Sequence, residues 1–347
     1  MVPREAARSG ASGRRSVLSR LLPRFSIAVP TRGDASRLDS LLDALARQTL
    51  PRAEYEIIVA FDGLSPPAAL CERMDRLGAR FVMVQPRRGP GAARNAAARE
   101  ARGEWLAFTE DDCVPDPDWL AAAARRIDSE EAFDVLEGST RLPGGSPVRR
   151  RGAGPTWLPT NLFIRRALFE RVGGYAEEFF DPRSGVYFRE DSDLGFTLAA
   201  VGARVRHDPE VGVVHPREHA GWLDPIRWAR RYEMDPLLMA RHPERFHDEI
   251  EVVRWGPLRL RRPFVRACLG VIVAGAAAAV AAVLGETGLA VPLLGVALLL
   301  LLLIWGKWRW DPRKLPAALA VPPVLLVALW RGRARARAHL VAVRTTR

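Results

Sequence analysis

Phe108-Thr-Glu-Asp-Asp-Cys-Val-Pro-Asp-Pro-Asp-Trp-Leu120 sets three consecutive carboxylates, Glu110, Asp111 and Asp112, directly behind the apolar run Trp105 to Phe108. Like charges this close repel and raise one another's pKa unless positive charge lies between them, so the stretch calls for a cation. The apolar run reads as a strand. Glu110 and Asp112, two residues apart, face the same way if the extended conformation continues past it. Hard oxygen ligands so paired suit Mg²⁺ or Mn²⁺ bridging a diphosphate, because such ions are held by one or two carboxylates together with phosphate oxygens. A solvated acidic loop is the plainer alternative for the cluster taken alone. Asp116 before Pro117 reads as a helix N-cap with proline at the first helical position, and Asp118 as an acid favoured in the first turn.

Upstream, strand-like and helical apolar patterns alternate, which predicts an α/β layered domain. Phe25 to Val29 is the first strand, followed by the turn Pro30-Thr31-Arg32-Gly33. Leu38, Leu41, Leu42 and Leu45 then fall on one helical face, capped by Asp34 or Ser36 and stopped before Pro51. Glu56 to Phe61 is a second strand ending at Asp62-Gly63, and Phe81 to Val84 a third, after which Gly89-Pro-Gly-Ala-Ala-Arg-Asn95 opens an Ala-rich helix. The unusual polar residues gather just past the C-terminal ends of strands, where open parallel sheets bind nucleotides. Downstream, Asn161 reads as the cap of a helix ending at Val172-Gly173-Gly174. Glu190-Asp191-Ser192-Asp193 opens another helix that closes at Gly202, and His215 ends the strand Val211 to Val214.

The 347 residues carry a net charge of +12, and its distribution decides what it means. Residues 1–24 hold six Arg against one Glu, and residues 331–347 hold six Arg and no acid, so the body between is nearly neutral. A nucleic-acid enzyme spreads basic side chains over a working face; basic tails beside apolar segments suit an anionic membrane surface instead. Nucleic acid is therefore not an expected partner. Two uncharged stretches, 267–285 and 287–306, are long enough to span a bilayer, and a third, 315–330, holds Pro316, Pro322 and Pro323. No signal peptide is evident. Cys71, Cys113 and Cys268 are too dispersed for a disulfide framework or a C-x-x-C zinc site.

Taken in order, Pro30-Thr-Arg, Phe61-Asp-Gly-Leu-Ser65, Gly91-Ala-Ala-Arg-Asn95, the carboxylate stretch, Asn161-Leu-Phe-Ile-Arg-Arg, Val172-Gly-Gly-Tyr, Arg189-Glu-Asp-Ser-Asp-Leu-Gly195 and Val213-Val-His215 resemble family 2 glycosyltransferases of the GT-A fold, over roughly residues 25–220. The resemblance implies a Rossmann-like mixed sheet flanked by helices and the inverting transfer of a sugar from a nucleotide-diphosphate donor. It assigns Pro30, Thr31, Arg32, Asp62, Arg94, Asn95, Glu110 and Asp111 to the nucleotide sugar, and Asp112 to Mg²⁺ or Mn²⁺. In related enzymes a histidine at the place of His215 can complete the metal site. Glu110 stands where the family's first metal-motif aspartate is usual. Asp191 matches the proposed general base, with Glu190 as the alternative.

The expected organisation is a basic, disordered tail at 1–24, a catalytic domain at 25–250, a membrane region at 251–330 and a basic tail at 331–347. Arg227-Trp228 matches the end of the Q-x-x-R-W motif of processive synthases, but Asp224 occupies the glutamine position, so a single sugar per encounter is expected. The expected acceptor is a glycan or a lipid-linked glycan at the membrane, and the loops from Arg141 to Leu158 and beyond Pro182 are expected to select both sugar and acceptor. A sugar-phosphate nucleotidyltransferase is the competing enzyme, though Pro30-Thr31-Arg32-Gly33 is not the Gly-rich loop that chemistry carries. A catalytically silent nucleotide-sugar sensor would lack the base or the metal acid, and Asp191 and Asp112 are both present. Arginines before the first span and Lys307, Arg309, Arg313 and Lys314 after the second place the catalytic domain in the cytoplasm. The third apolar segment, bounded by positive charge on both sides, is expected to be re-entrant or interfacial.

Overall fold

The structure, a computed structural model, describes residues 22–129, 131–146, 157–216, 221–256 and 258–345. All but the last three residues of the N-terminal tail, most of the loop after Arg141 and the last two residues of the chain lie outside them. Contacts divide the described residues into two compact units: one closes at Tyr175 and resumes from Thr197 through the last long strand, and the other holds Ala176–Phe196 and the chain after that strand.

The first unit is built on eight strands in the order β3-β2-β1-β4-β7-β6-β8-β5. β1 (Phe25–Thr31), β2 (Tyr55–Asp62), β3 (Arg80–Val84) and β4 (Trp105–Phe108) run parallel. β1 is buried along its whole length, as expected of a central parallel strand covered on both faces. Helices α1 (Ala35–Ala46), α2 (Ala68–Arg76) and α3 (Pro90–Arg99) make the crossovers. Leu38, Leu41, Leu42 and Leu45 of α1 enter the core with Phe25, Ile27, Val29, Val59 and Trp105. Asp34, not Ser36, caps α1 by accepting from the Arg37 amide.

Beyond β4 the sheet turns antiparallel. β5 (Val114–Pro115), β6 (Val135–Arg141), β7 (Leu162–Arg165) and β8 (Val205–Val214) extend it; β7 lies antiparallel to β4 and β6, while β6 and β8 run parallel. α4 (Trp119–Ile127) begins two residues later than expected, with Asp118 at its N-cap and no side-chain capping bond. Asp116 is drawn away by Arg141, whose guanidinium donates to both of its oxygens at 2.7 and 2.6 Å. The helix read from Asn161 to Val172 is instead β7 followed by α5 (Arg166–Arg171).

Asn161 is therefore not a cap. Buried, it accepts from the Trp119 indole at 2.9 Å and donates to the carbonyls of Ser139 at 3.1 Å and Val211 at 2.8 Å, tying α4, β6 and β8 together. A Cβ on Gly138 would lie 2.3 Å from its Nδ2, so the strands close on this amide only because residue 138 has no side chain.

α6 (Glu190–Ala200) begins in the second unit and ends in the first. The second unit continues with α7 (Asp224–Arg231), a 3₁₀ turn (Tyr232–Met234), α8 (Asp235–Arg241), the short α9 (Pro243–Arg245) and a hairpin of β9 (Val252–Trp255) and β10 (Leu258–Arg261). Three helices follow: α10 (Pro263–Val283), α11 (Thr287–Gly306) and α12 (Leu315–Thr345). Segments within all three are long and apolar enough to cross a membrane. The third is not broken at Pro322-Pro323, because helix continues through the pair to Thr345. It runs beside α7 and α8 in step: Lys314 pairs with Asp224 at 3.2 Å, Arg335 with Glu233 at 3.2 Å, and the His339 ring lies 3.5 Å from Arg241. Between them, a Cβ on Gly332 would stand 2.2 Å from the Glu233 carbonyl.

Replacing Asn161 by Ala strands a buried indole N–H and two carbonyls. The expected loss is about 3 kcal/mol, from unsatisfied groups costing 1–3 kcal/mol each and partial relaxation. Thermal unfolding of the detergent-solubilised protein checks it: a midpoint several degrees lower is expected, and an unchanged midpoint would contradict the role given to this amide.

Candidate active site

The carboxylates after β4 converge, but not by strand periodicity. β4 ends at Phe108, and residues 109–113 turn, the Cys113 amide donating to the Glu110 carbonyl at 3.1 Å. The turn aims Glu110 and Asp112 together at His215, which follows β8. His215 Nε2 lies 3.5 Å from Glu110 Oε2 and 3.8 Å from Asp112 Oδ1. One atom from each of Glu110, Asp112, Cys113 and His215 falls within 4.8 Å of the others.

Each carboxylate has its own positive or polar partner. Glu110 pairs with the buried Arg94 of α3 at 2.8 Å; Asp112 has Arg37 of α1 at 3.4 Å; Asp111 accepts from the Thr31 hydroxyl at 2.6 Å, which in turn accepts from the Gly33 amide at 2.9 Å. Burial pushes Glu110 upward, yet the hydrogen bond with His215 and the charge of Arg94 outweigh it and hold its carboxyl below the usual range. Burial raises Asp111, the Thr31 bond offsetting only part of it, and neighbouring acids add to the rise. Burial also raises Asp112, against the charge of His215 and with that of Glu110. His215 moves up to about 9, chiefly through its hydrogen bond to Glu110 and in spite of burial.

This donor set fits a hard divalent cation. Nδ1 of His215 lies 2.7 Å from the Pro216 carbonyl; donating there, it directs Nε2 toward the acids, where that atom carries a proton that a cation would have to displace, the orientation usual for metal-ligating histidines. Two carboxylates and one imidazole form a ligand set that a divalent cation could take. Cys113 is a poorer ligand, since burial, reinforced by the nearby acids, drives its thiol far above the usual range.

The remaining residues expected at the nucleotide sugar divide. Pro30 and Thr31 end β1 in the core, and Arg32 is exposed on the following turn. Asp62, at the end of β2, accepts from the amides of Arg88 at 2.7 Å and Gly89 at 3.0 Å, with Arg87 at 3.6 Å. Gly89 meets it with φ +88, a left-handed conformation that favours glycine, so Asp62 shapes the loop that opens α3. Asn95 also has a structural task. Its side chain donates to the Tyr175 carbonyl at 2.8 Å and accepts from the Tyr175 amide at 2.9 Å, a two-way backbone bond that holds α3 to the segment after α5.

In the second unit Glu190 and Asp191 occupy the first turn of α6, Glu190 buried and Asp191 partly exposed. Asp191 accepts from the Ser192 amide at 2.6 Å. Arg189 before them has φ +76, an uncommon conformation for a residue with a side chain, and is anchored to Asp235 at 2.8 Å. Asp193 does not serve the helix end alone: it takes Arg241 at 2.6 Å and His242 at 2.9 Å. Arg37, Asp235, Arg241 and His242 were not singled out from sequence. Each lies 40 or more residues from its partner, and no local pattern marks them. Asp224, at the glutamine position of the processive motif, pairs with Lys314.

The family model for glycosyl transferase family 2 matches residues 26–192. Among curated proteins, the chain is 25% identical over 197 residues to Glycosyltransferase AglE of Haloferax volcanii, covering 51% of this chain and 64% of that one. It is 31% identical over 147 residues to the Poly(ribitol-phosphate) beta-N-acetylglucosaminyltransferase TarS of Staphylococcus aureus, covering 42% and 24%. The chain thus spans less than two thirds of the length of either relative. Among solved structures, mannosyltransferase PcManGT from Pyrobaculum calidifontis, in complex with GDP-Man and Mn²⁺, superposes with a TM-score of 0.51 at 21% identity over 88% of this chain and 87% of that one. That likeness speaks to the fold. With the ordered sheet and the family match together, residues 26–192 are a glycosyl transferase family 2 domain on the GT-A fold.

Proposed function

We propose that the protein is a membrane-anchored, metal-dependent, inverting glycosyltransferase that moves one sugar from a UDP- or GDP-linked donor to a glycan or lipid-linked acceptor at the membrane. The observation that carries the reading is the convergence of Glu110, Asp112 and His215 Nε2 at the sheet's C-terminal edge. Relatives whose names include a beta-N-acetylglucosaminyltransferase, and a fold neighbour crystallised with GDP-Man and Mn²⁺, support the donor class.

Asp112 and His215 would hold the cation, with Glu110 beside them. When bound, it supplies positive charge to a departing diphosphate. Arg94 keeps Glu110 ionised, and Thr31 fixes Asp111. Asp191 takes the proton of the acceptor hydroxyl as that oxygen bonds to the anomeric carbon; the bond from that carbon to the diphosphate oxygen breaks on the opposite side, inverting the centre. Its hydrogen bond from Ser192 holds the carboxylate in place for that transfer.

The catalytic domain is assigned to the cytoplasmic face, with α10 and α11 crossing and Glu286 outside. Two facts favour an interfacial course for α12. Its apolar residues Val321, Leu325 and Leu329 pack with Phe264, Cys268 and Val271 near the start of α10 and with Ile304 and Trp308 near the end of α11. Lys314, just before α12, and Arg335, within it, both pair with the charged α7 to 3₁₀ stretch, at Asp224 and Glu233.

A panel of UDP-glucose, UDP-N-acetylglucosamine and GDP-mannose, assayed for Mn²⁺-dependent release of nucleoside diphosphate, identifies the donor. Asp112→Ala should abolish that release with the fold intact, and full activity of this variant in chelator would refute the metal assignment. Because His215 titrates near 9, it is protonated at pH 7.5, and a cation must displace that proton. Mn²⁺ binding should therefore release about one proton at that pH and tighten as pH rises toward 9; calorimetry in buffers of different ionisation enthalpy measures it, and His215→Gln should remove the dependence.

Asp191→Asn should retain nucleoside diphosphate binding but lose about 10² to 10⁴ in rate, the usual contribution of a positioned general base. If Glu190→Gln shows that loss and Asp191→Asn does not, the base is Glu190.

For topology, single cysteines at Glu286 and Ala338 are probed in intact cells with a membrane-impermeant thiol reagent. Labelling only at 286 is expected; labelling at 338 from outside means that α12 crosses.

A further inference from the structure

In the second unit the residues flanking Glu190-Asp191 are tied to one stretch of chain, Asp235 to His242. Arg189, immediately before the pair, is tied to Asp235. Asp193, two residues after Asp191, is tied to Arg241 and His242. Asp235 and Arg241 bound α8, so the helix spans the dipeptide like a splint. The loop leading into Arg189 is itself folded: the Asp181 amide donates to the Val186 carbonyl at 2.8 Å, the Gly185 amide to Asp181 at 2.7 Å, and Phe180 bridges Tyr187.

Arg335 joins these parts. One nitrogen of its guanidinium, Nη1, donates to the carbonyls of Glu178 at 3.3 Å and Phe180 at 3.2 Å. The other, Nη2, lies 3.0 Å from Asp181 and 3.2 Å from Glu233, in the turn just before α8. The planar fork of arginine suits this double duty, which a lysine point charge cannot copy. Gly332, one helical turn earlier, allows the approach.

We propose that Arg335 is a positioning residue for sugar transfer: α12 braces α8 against the loop 178–189, and so sets the carboxylate of Asp191. The segment read from sequence as a basic tail is then part of the catalytic apparatus. The proposal rests on Asp191 being the general base, and the experiment separates the two.

The full-length chain in detergent is assayed as Arg335→Gln, Arg335→Lys, Asp191→Asn and the double variant Arg335→Gln/Asp191→Asn. Readouts are Mn²⁺-dependent nucleoside diphosphate release from the donor identified in the panel, and UDP or GDP binding with Mn²⁺ by calorimetry. Arg335→Gln should lower kcat about 10- to 100-fold, the scale of an ångström-sized misplacement, with nucleotide affinity unchanged. Arg335→Lys, which keeps the charge but loses the fork, should recover part of that rate, and it carries the test if Arg335→Gln does not fold. In the Asp191→Asn background, loss of Arg335 should cost little more, since the group it positions is gone. Wild-type kcat in both Arg335 variants, or a full additional loss in the double variant, overturns the brace. An active Asp191→Asn, by contrast, overturns the base assignment on which the brace depends.

Discussion

Three adjacent carboxylates at the end of a buried strand are the constraint around which the first unit is arranged. Like charges held this close destabilise the folded state unless neutralised, and removing one partner of a buried pair leaves an uncompensated charge. The compensation comes from three separate elements: Arg94 on α3, Arg37 on α1 and His215 after β8. Bringing them to one point requires α1 and α3 to start at the ends of β1 and β3, and β8 to end near the carboxylates, which its pairing with β5 secures. The sheet order and the acid cluster are thus two sides of one requirement. Arg94, Arg37 and His215 together set positive charge against each part of the acid cluster.

Much of this was legible in the sequence because it is local. The strands β1, β2, β3 and β4 and the apolar face of α1 follow from periodicity and turn residues within a few positions, and β4 was bounded to the residue. The convergence of Glu110 and Asp112 was foreseen, though for the wrong reason: a turn, not an extended strand, aims them. What failed to appear was whatever depends on a distant partner. Asp116 before proline has the form of a cap, but Arg141 takes it; Asn161 has it too, but the strands around Gly138 enclose it. The two-way bond of Asn95 to the Tyr175 backbone is likewise invisible locally. In each case a polar side chain with a respectable local role bonds to a group distant in the sequence.

The three apolar segments illustrate the same division. Thr287–Gly306 was bounded correctly because an uninterrupted apolar run has few other readings. Pro322-Pro323 suggested a break, since proline removes a donor and crowds the preceding turn. α12 nevertheless continues through the pair, with Val321, Leu325 and Leu329 packed against neighbouring helices on both sides of it. Burial of that face supplies the cohesion that two missing backbone bonds withdraw.

Net charge is where composition misleads most. The cluster of arginines after Trp330 reads as one basic tail, fit for a membrane surface. Along a helix those residues part company: Arg335 turns inward to Asp181 and Glu233, while Arg331, Arg333 and Arg337 are exposed. Burial raises the Glu233 carboxyl and the charge of Asp181 adds to it, with Arg335 acting in the opposite direction. Arg335 therefore belongs to the electrostatic balance of the second unit. A single helical turn separates a structural arginine from surface ones, and which is which depends on acids a hundred or more residues earlier in the chain.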